Sequence, residues 1–339
     1  MAIDLLSIKP HQVSRDLRGY SVFFYGDPKT GKTTTASRFP NSLLLAFEKG
    51  YSAIPGIIAQ PINNWSEFRK VLNQLKNPEV QQKFSTIIID TADIAYDYAT
   101  KYICSNAKRA DGSYGVDSIS DIGFGKGYGL VAHEFDECLR SIVQMNYGLV
   151  LISHATDKSF VDENGQEYNK IVPTLDKRAR EIVSRLADII GYSRTVTDEN
   201  GKESVKLFMR GTQRYVAGSR FQYTPDYIDF SYENLTKAIV DAIDKQAEIV
   251  GNQYFTNESI NVYTDTTKEL NFDSLMDEFN QIVTNIIQTN DEQTFKTYWE
   301  PRIVEITERH LGKGNKVNNC DRTQVEAISL IVDDLKHLK

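Results

Sequence analysis

Gly26, Gly31, Lys32 and Thr33 stand at the spacing G-x-x-x-x-G-K-[ST] inside GDPKTGKTT, which is the pattern of a loop that cradles a nucleoside triphosphate. Glycines at these points let successive backbone N–H groups curl around phosphate oxygens, and the following helix start adds partial positive charge. Lys32 is placed to reach the β- and γ-phosphates, and the Thr33 hydroxyl to ligate Mg2+. The whole run Gly26, Asp27, Pro28, Lys29, Thr30, Gly31, Lys32, Thr33 and Thr34 is therefore the candidate nucleotide-binding loop.

Such a loop calls for further groups nearby. TIIIDT ends its apolar run on Asp90, a candidate to hold the Mg2+ ion with Thr33; the alternative is a strand-end turn acid. Glu48 closes SLLLAFE, where an acid can orient or activate an attacking water. His154 closes YGLVLISH, the place of a γ-phosphate sensor, although a lone histidine also serves as a structural hydrogen-bonder.

The elements that must position these residues can be read from the pattern around them. SVFFYG (21–26), SLLLAFE (42–48), TIIIDT (86–91) and YGLVLISH (147–154) are continuously apolar and so read as buried strands of a parallel sheet. Helical patterns lie between them, in KTTTASRF, in WSEFRKVLNQLK (65–76) and around AHEFDECLRSIVQM (132–145). This alternation predicts an α/β fold with crossover connections. A late antiparallel hairpin is expected from IIGYSRTVTDENGKE and SVKLFMRG (204–211), with Asn200-Gly201 as its turn.

With 339 residues, the chain is long enough for a large domain and a smaller one. We expect the first over 1–245, an Asn- and Thr-rich linker over 246–269, and a small helical domain over 270–339. In the last, Phe272, Leu275, Met276, Phe279, Ile282, Val283, Ile286 and Ile287 recur at 3-4 spacing. Pro301 suits a helix start, Gly312 a helix end and Asp321 a cap. Lys+Arg and Asp+Glu are 30 each over 1–245, against 9 and 16 over 246–339. The excess acid is thus C-terminal, and any nucleic-acid contact must be local rather than a broad basic face. Cys104, Cys138 and Cys320 are too scattered to suggest disulfides or a zinc site. The first residues carry no signal-peptide pattern, and no apolar run approaches a membrane span, so a cytoplasmic protein without membrane contact is expected.

With these residues in place, the constellation resembles the RecA-like ATPases, in particular the phage P-loop proteins grouped with core-only recombinases and single-strand annealing ATPases. GDPKTGKTT matches the P-loop, Glu48 in FEKG the catalytic glutamate after the second strand, IIIDTAD the Walker B strand, and ISHATDK the polar sensor before a DNA-binding loop. The resemblance spans about residues 18 to 230. It implies a RecA-like core using ATP and Mg2+, assembly as a homo-oligomeric filament or ring, and action on single-stranded DNA in phage recombination, annealing or replication, in the cytoplasm of the host. His154 stands where that family often has glutamine, and the C-terminal helices have no counterpart in the minimal core.

Residue types can be set beside the DNA expectation. The segment 106–129 combines glycines with Lys108, Arg109, Lys126, Tyr114, Phe124 and Tyr128, and the segment 157–180 carries Phe160, Lys170, Lys177, Arg178 and Arg180. Mobile backbone, cations and rings are the ingredients of single-strand binding; plain surface loops, one of them a hairpin, are the alternative. Arg210, then Arg220, with Arg214 between them, are the candidates for a cation reaching ATP on a neighbouring subunit, or else for surface ion pairs. Two other functions remain open: an ATP-switched replication adaptor or helicase loader whose acidic helical domain docks another protein, and a small-molecule P-loop kinase. A GTPase is disfavoured, because the run Asn315–Asn318 has Asn-Lys without the aspartate that would read guanine.

Overall fold

A computed structural model describes residues 6, 8–109, 111–259 and 270–338, except the side chain of Phe124. Its strands are β1 (Val13–Ser14), β2 (Ser21–Gly26), β3 (Ser42–Ala46), β4 (Ala59–Pro61), β5 (Thr86–Asp90), β6 (Gly148–Val161), β7 (Glu167–Pro173), β8 (Ile189–Thr197), β9 (Glu203–Phe208), β10 (Gly218–Ser219), β11 (Tyr227–Asp229) and β12 (Phe255–Thr256). The helices of the same region are α1 (Lys32–Ala36), α2 (Trp65–Leu75), α3 (Pro78–Lys83), α4 (Ala92–Asn106), α5 (Lys126–Gln144), α6 (Lys177–Leu186) and α7 (Tyr232–Val250).

The main sheet runs β11-β9-β8-β2-β6-β5-β3-β4, with β10 added to β8 and β7 to β6. Its centre, from β8 through β2, β6, β5 and β3 to β4, is parallel. Both faces of that centre are buried, which is why the runs are apolar at every position instead of every second one. Phe23, Leu45, Ile87, Ile89, Leu149 and Leu151 point into a core with residues of α2, α4, α5 and α6. Their neighbours Val22, Phe24, Leu44, Ile88, Val150 and Ile152 point the other way, against Phe39 and α7. The α/β fold with a mainly parallel sheet expected from the alternation is thus present.

β8 and β9 form the late hairpin, and Gly201 adopts φ +77° in its turn, a value that suits glycine. Three expectations need correction. The first helix ends at Ala36 rather than running through KTTTASRF, because Arg38 and Phe39 close tighter turns onto Thr35 and Ala36. The glycine-containing segment 106–129 is not loop throughout, since Asn106 closes α4 and α5 begins already at Lys126. Residues 246–256 are no linker: α7 continues to Val250 and β12 pairs in parallel with β1. Positions 260–269 of the expected linker lie outside the described residues.

The described residues fall into two compact units, Pro10–Val262 and a smaller one built on the C-terminal helices. The latter contains α8 (Phe272–Thr289), α9 (Glu292–Thr294), α10 (Glu300–Leu311) and α11 (Val325–Lys336), with its own core of Phe279, Ile306, Val317, Ile328, Ile331, Val332 and Leu335. Pro301 lies in the first turn of α10, Gly312 ends it, and Asp321 caps the turn that leads into α11. No helix among the described residues is long and apolar enough to cross a membrane.

Candidate functional site

Strand register gathers the residues that the sequence leaves scattered. Gly26, the last residue of β2, lies opposite His154 of β6 on one side and Ser193 of β8 on the other. Asp90, the last residue of β5, lies opposite Ala46 of β3 and Ile152 of β6. Beyond Ala46 the chain turns, and the N–H groups of Phe47 and Glu48 both donate to Asp90 O, at 2.8 and 3.2 Å. Gly26, Glu48, Asp90 and His154 therefore share one edge of the sheet, at the carboxyl ends of the parallel strands, the end where open α/β sheets bind ligands.

At Gly26 a side chain is excluded by space. A Cβ there would sit 2.0 Å from the Ser193 carbonyl oxygen. The backbone then turns through left-handed residues at Lys29 (φ +63°) and Gly31 (φ +81°), which curls the loop. The Thr30 hydroxyl donates to Asp27 O at 2.9 Å and lies 2.8 Å from Ser193 Oγ, so β8 braces the loop from the side. Among the described residues, the N–H groups of Lys29, Thr30 and Gly31 find no protein acceptor, as a phosphate-cradling loop requires. α1 is barely more than one turn, so these loop amides, more than a helix dipole, supply the positive field. Lys32 is 6% exposed, and its Nζ donates to Gly26 O (3.0 Å) and Asp27 O (2.7 Å). Burial pulls its pKa down, against the nearby negative charges of Asp90, Asp27 and Glu48.

The Thr33 hydroxyl donates to Asp90 Oδ2 at 2.7 Å. Asp90 is 2% exposed, and burial pushes its pKa up to about 6, while the Thr33 hydrogen bond pulls it down. Gly50 completes the arrangement: a Cβ there would lie 3.6 Å from Glu48 Oε1, 3.7 Å from Asp90 Oδ2 and 3.9 Å from Thr33 Oγ1. Glycine thus leaves open the space that these three oxygens face. One carboxylate and one hydroxyl fit Mg2+, which keeps several waters and takes its remaining ligands from phosphates; no cluster of three His, Cys, Asp or Glu suited to a metal occurs among the described residues.

Across that space, His154 Nε2 lies 3.7 Å from Glu48 Oε1, an ion pair whenever the histidine is protonated. Pairing with His154 holds the Glu48 carboxyl below its usual pKa, and the same pairing raises that of His154, with burial opposing in each. Glu48 is hence ionised at neutral pH and able to accept a hydrogen bond from water, while the pairing weakens it as a base. His154 Nδ1, Thr91 Oγ1 and Asp93 Oδ2 are buried polar atoms with no protein partner, further polar capacity around the same strand ends.

The other expected site residues are more dispersed. Segment 157–180 is a hairpin of β6 and β7 followed by α6, not a loop, with Lys170 in β7. Arg178 lies over the Tyr128 ring at 4.7 Å, so those two residues meet, with Lys126 and Lys177 close by in sequence at the starts of α5 and α6. Lys108, Arg109 and Tyr114 form a local turn: Lys108 and Tyr114 pair in a bridge, Arg109 Nε donates to Gly115 O, and Tyr114 is 71% exposed. The side chain of Phe124 lies outside the described residues. Arg210 donates to Thr224 O (2.7 Å) and Gln222 O (2.6 Å), and Arg220 pairs with Asp188 at 3.1 Å. Of the three arginines only Arg214 has a guanidinium with no partner among the described residues. Residues that sequence reading missed are Gly50, Asp93, Ser153, Lys158, Tyr168, Thr174 and Ser193. Lys158 and Tyr168 could have been found from the period-2 alternation continuing past His154; the rest carry no local signal.

Residues 18–221 match the family model AAA_24, an AAA domain. Over 346 residues the chain is 34% identical to the SPbeta prophage-derived uncharacterized protein YorG of Bacillus subtilis (strain 168), covering 100% of this chain and 99% of that protein. Two solved structures are more distantly similar. The flagellar accessory protein FlaH of Methanocaldococcus jannaschii is 10% identical, with TM-score 0.34 over 63% of this chain and 85% of that one. A KaiC-like protein of Pyrococcus horikoshii OT3 is 12% identical, with TM-score 0.35 over 66% and 100%. A phosphate-cradling loop, an acid at the tip of β5 and a family match that spans both place this chain in the AAA_24 family of P-loop ATPase domains.

Proposed function

We propose that this protein binds and hydrolyses ATP with Mg2+ and acts, as a RecA-like homo-oligomer, on single-stranded DNA in phage recombination, annealing or replication. The Lys29–Gly31 amides and Lys32 are placed to neutralise the phosphates, and Thr33 and Asp90 would hold a Mg2+ ion, which would supply charge stabilisation to the triphosphate. Glu48 orients the attacking water and takes its proton; His154 holds Glu48 at 3.7 Å. Of the three candidates to reach ATP on a neighbouring copy, Arg214 has an exposed guanidinium with no partner among the described residues, whereas those of Arg210 and Arg220 must first leave theirs. The SPbeta prophage origin of the 34% identical relative supports the phage context.

The observation that carries the DNA reading is the face of the β6–β7 hairpin. Lys158 lies directly opposite Lys170, and Phe160 opposite Tyr168. Period-2 alternation puts all four on one face, where the two rings stack with centroids 5.8 Å apart. Like charges directly opposite each other destabilise a strand pair, and neither lysine has an ion-pair partner among the described residues. Two uncompensated cations beside stacked rings suit phosphates and bases of a single strand. β6 carries this face straight from His154.

The test is ATP hydrolysis and oligonucleotide binding by wild type, with Lys32→Ala as the control for contaminating activity. Single strands should stimulate a Lys32-dependent rate. Lys158→Gln/Lys170→Gln should weaken binding and lower the slope of log K against log salt by roughly 1.4, about 0.7 per lost phosphate contact. A Lys32-dependent rate indifferent to single strands, together with no binding, would refute the DNA reading. The other reading is an adaptor or helicase loader, in which the C-terminal unit, a separate helical body with its own core, docks a protein partner. Deleting 270–339 should then abolish partner binding and leave DNA-stimulated hydrolysis intact.

A further inference from the structure

Asp93 lies three residues beyond Asp90, in the first turn of α4, and its carboxylate reaches the base of the hairpin. Oδ1 accepts from the Ser153 hydroxyl at 3.1 Å and from the Thr174 hydroxyl. Ser153 precedes His154 in β6, and Thr174 follows the last residue of β7, so one carboxylate oxygen grips both strands of the hairpin where they leave the sheet. Each hydroxyl has a single proton and an alternative acceptor in His154 O, 3.2 Å from Ser153 Oγ and 3.3 Å from Thr174 Oγ1. An ionised carboxylate is the stronger acceptor and takes both protons. His154 O is then satisfied by the Thr174 N–H, at 2.9 Å.

Closing the hairpin does not require this grip, since β6 and β7 already pair in register from Ala155↔Pro173 to Val161↔Glu167. Burying an acid there is costly, as the raised pKa of Asp93 records, and its Oδ2 has no protein partner. What the grip adds is a rigid connection, at the residues flanking His154, between the hairpin and the helix that follows Asp90.

We propose that Asp93 is a positioning residue that couples occupancy of the triphosphate site to the β6–β7 hairpin. Filling the phosphate loop alters the Glu48–His154 pair, and with Ser153 and Thr174 both held on Asp93, the shift of His154 is delivered to the hairpin instead of being absorbed by slack at its base. The proposal rests on the nucleotide-binding part of the function above and not on DNA.

The experiment is hydrogen–deuterium exchange on the full chain, with Mg2+ and with or without a non-hydrolysable ATP analogue, reading segments 26–36 and 155–173. In wild type the analogue should slow exchange in 26–36 and change it in 155–173. Asp93→Ala, which removes the shared acceptor, and Thr174→Val, close in volume to the residue it replaces, should keep the protection of 26–36 and lose the change in 155–173. Because both act through one contact, the double variant should lose no more than either alone. A purely structural clip would instead raise hairpin exchange equally in both nucleotide states and leave their ratio unchanged, which overturns the proposal. A wild-type hairpin that ignores the analogue while 26–36 is protected also overturns it. No protection of 26–36 at saturating analogue refutes the nucleotide reading itself, and the coupling with it.

Discussion

Replacing Asp90 by asparagine should stabilise the nucleotide-free protein while destroying its use of Mg2+. Burial raises the pKa of this carboxyl from 3.8 to about 6, so between these values the folded state binds more protons than the unfolded state. Stability therefore falls as pH rises through that window, and the full penalty of a buried charge, about 3 kcal/mol, is present above pH 6. Near pH 5 about half of it remains, and below pH 4 almost none. The asparagine side chain would keep the volume and an acceptor for the Thr33 hydroxyl without the charge. Thermal unfolding followed by circular dichroism, free of nucleotide and metal, should show Tm at pH 7 raised by roughly 6–12 °C, at 2–4 °C per kcal/mol for a unit of this size. The gain should shrink to about half at pH 5. With Mg2+ and ATP the order should reverse, because only the wild type gains the increment from the bound ion. A variant less stable than wild type at pH 7, or a gain that grows toward acid pH, would refute the assignment of Asp90 as a charge buried at a cost to stability and compensated by the ion.

Three other outcomes follow from the same geometry. Lys32→Ala should weaken ATP binding by roughly 10²-fold, the loss of one or two charge-assisted hydrogen bonds to phosphate, as read by titration with a fluorescent nucleotide. Glu48→Gln should slow single-turnover hydrolysis by about 10²–10⁴-fold and leave nucleotide affinity near wild type, since only the proton-accepting function is removed. In Gly26→Ala, the new Cβ would fall 2.0 Å from Ser193 O, so β2 and β8 must separate at the loop. The expected cost, about 3 kcal/mol or more, exceeds ordinary overpacking and should appear as a lowered denaturation midpoint.

By itself the sequence determined what depends on neighbours along the chain. GDPKTGKTT specifies its loop locally, through glycines and the residues between them, and four apolar runs announce a sheet buried on both faces because every position in them must avoid water. The helix α8 was legible from its 3-4 spacing, and the β8–β9 hairpin from Asn200-Gly201. Only the tertiary structure decided which strand ends adjoin. Register set His154 and Ser193 on either side of Gly26 and folded Glu48 back onto Asp90, pairings between residues up to 167 positions apart (Gly26 and Ser193) that no window of sequence contains. It also turned the expected loop 157–180 into a hairpin with its lysines and rings on one face, because hydrogen bonds to β7 impose an alternation that glycine, lysine and acid content alone conceal. The same applies to Arg210, whose charge the sequence offers to any partner and whose loop carbonyls have already claimed it. Asp93 had no signature at all: an acid three residues after another is ordinary in a helix start, and its meaning came only when Ser153 of β6 and Thr174, just past β7, arrived at the same oxygen.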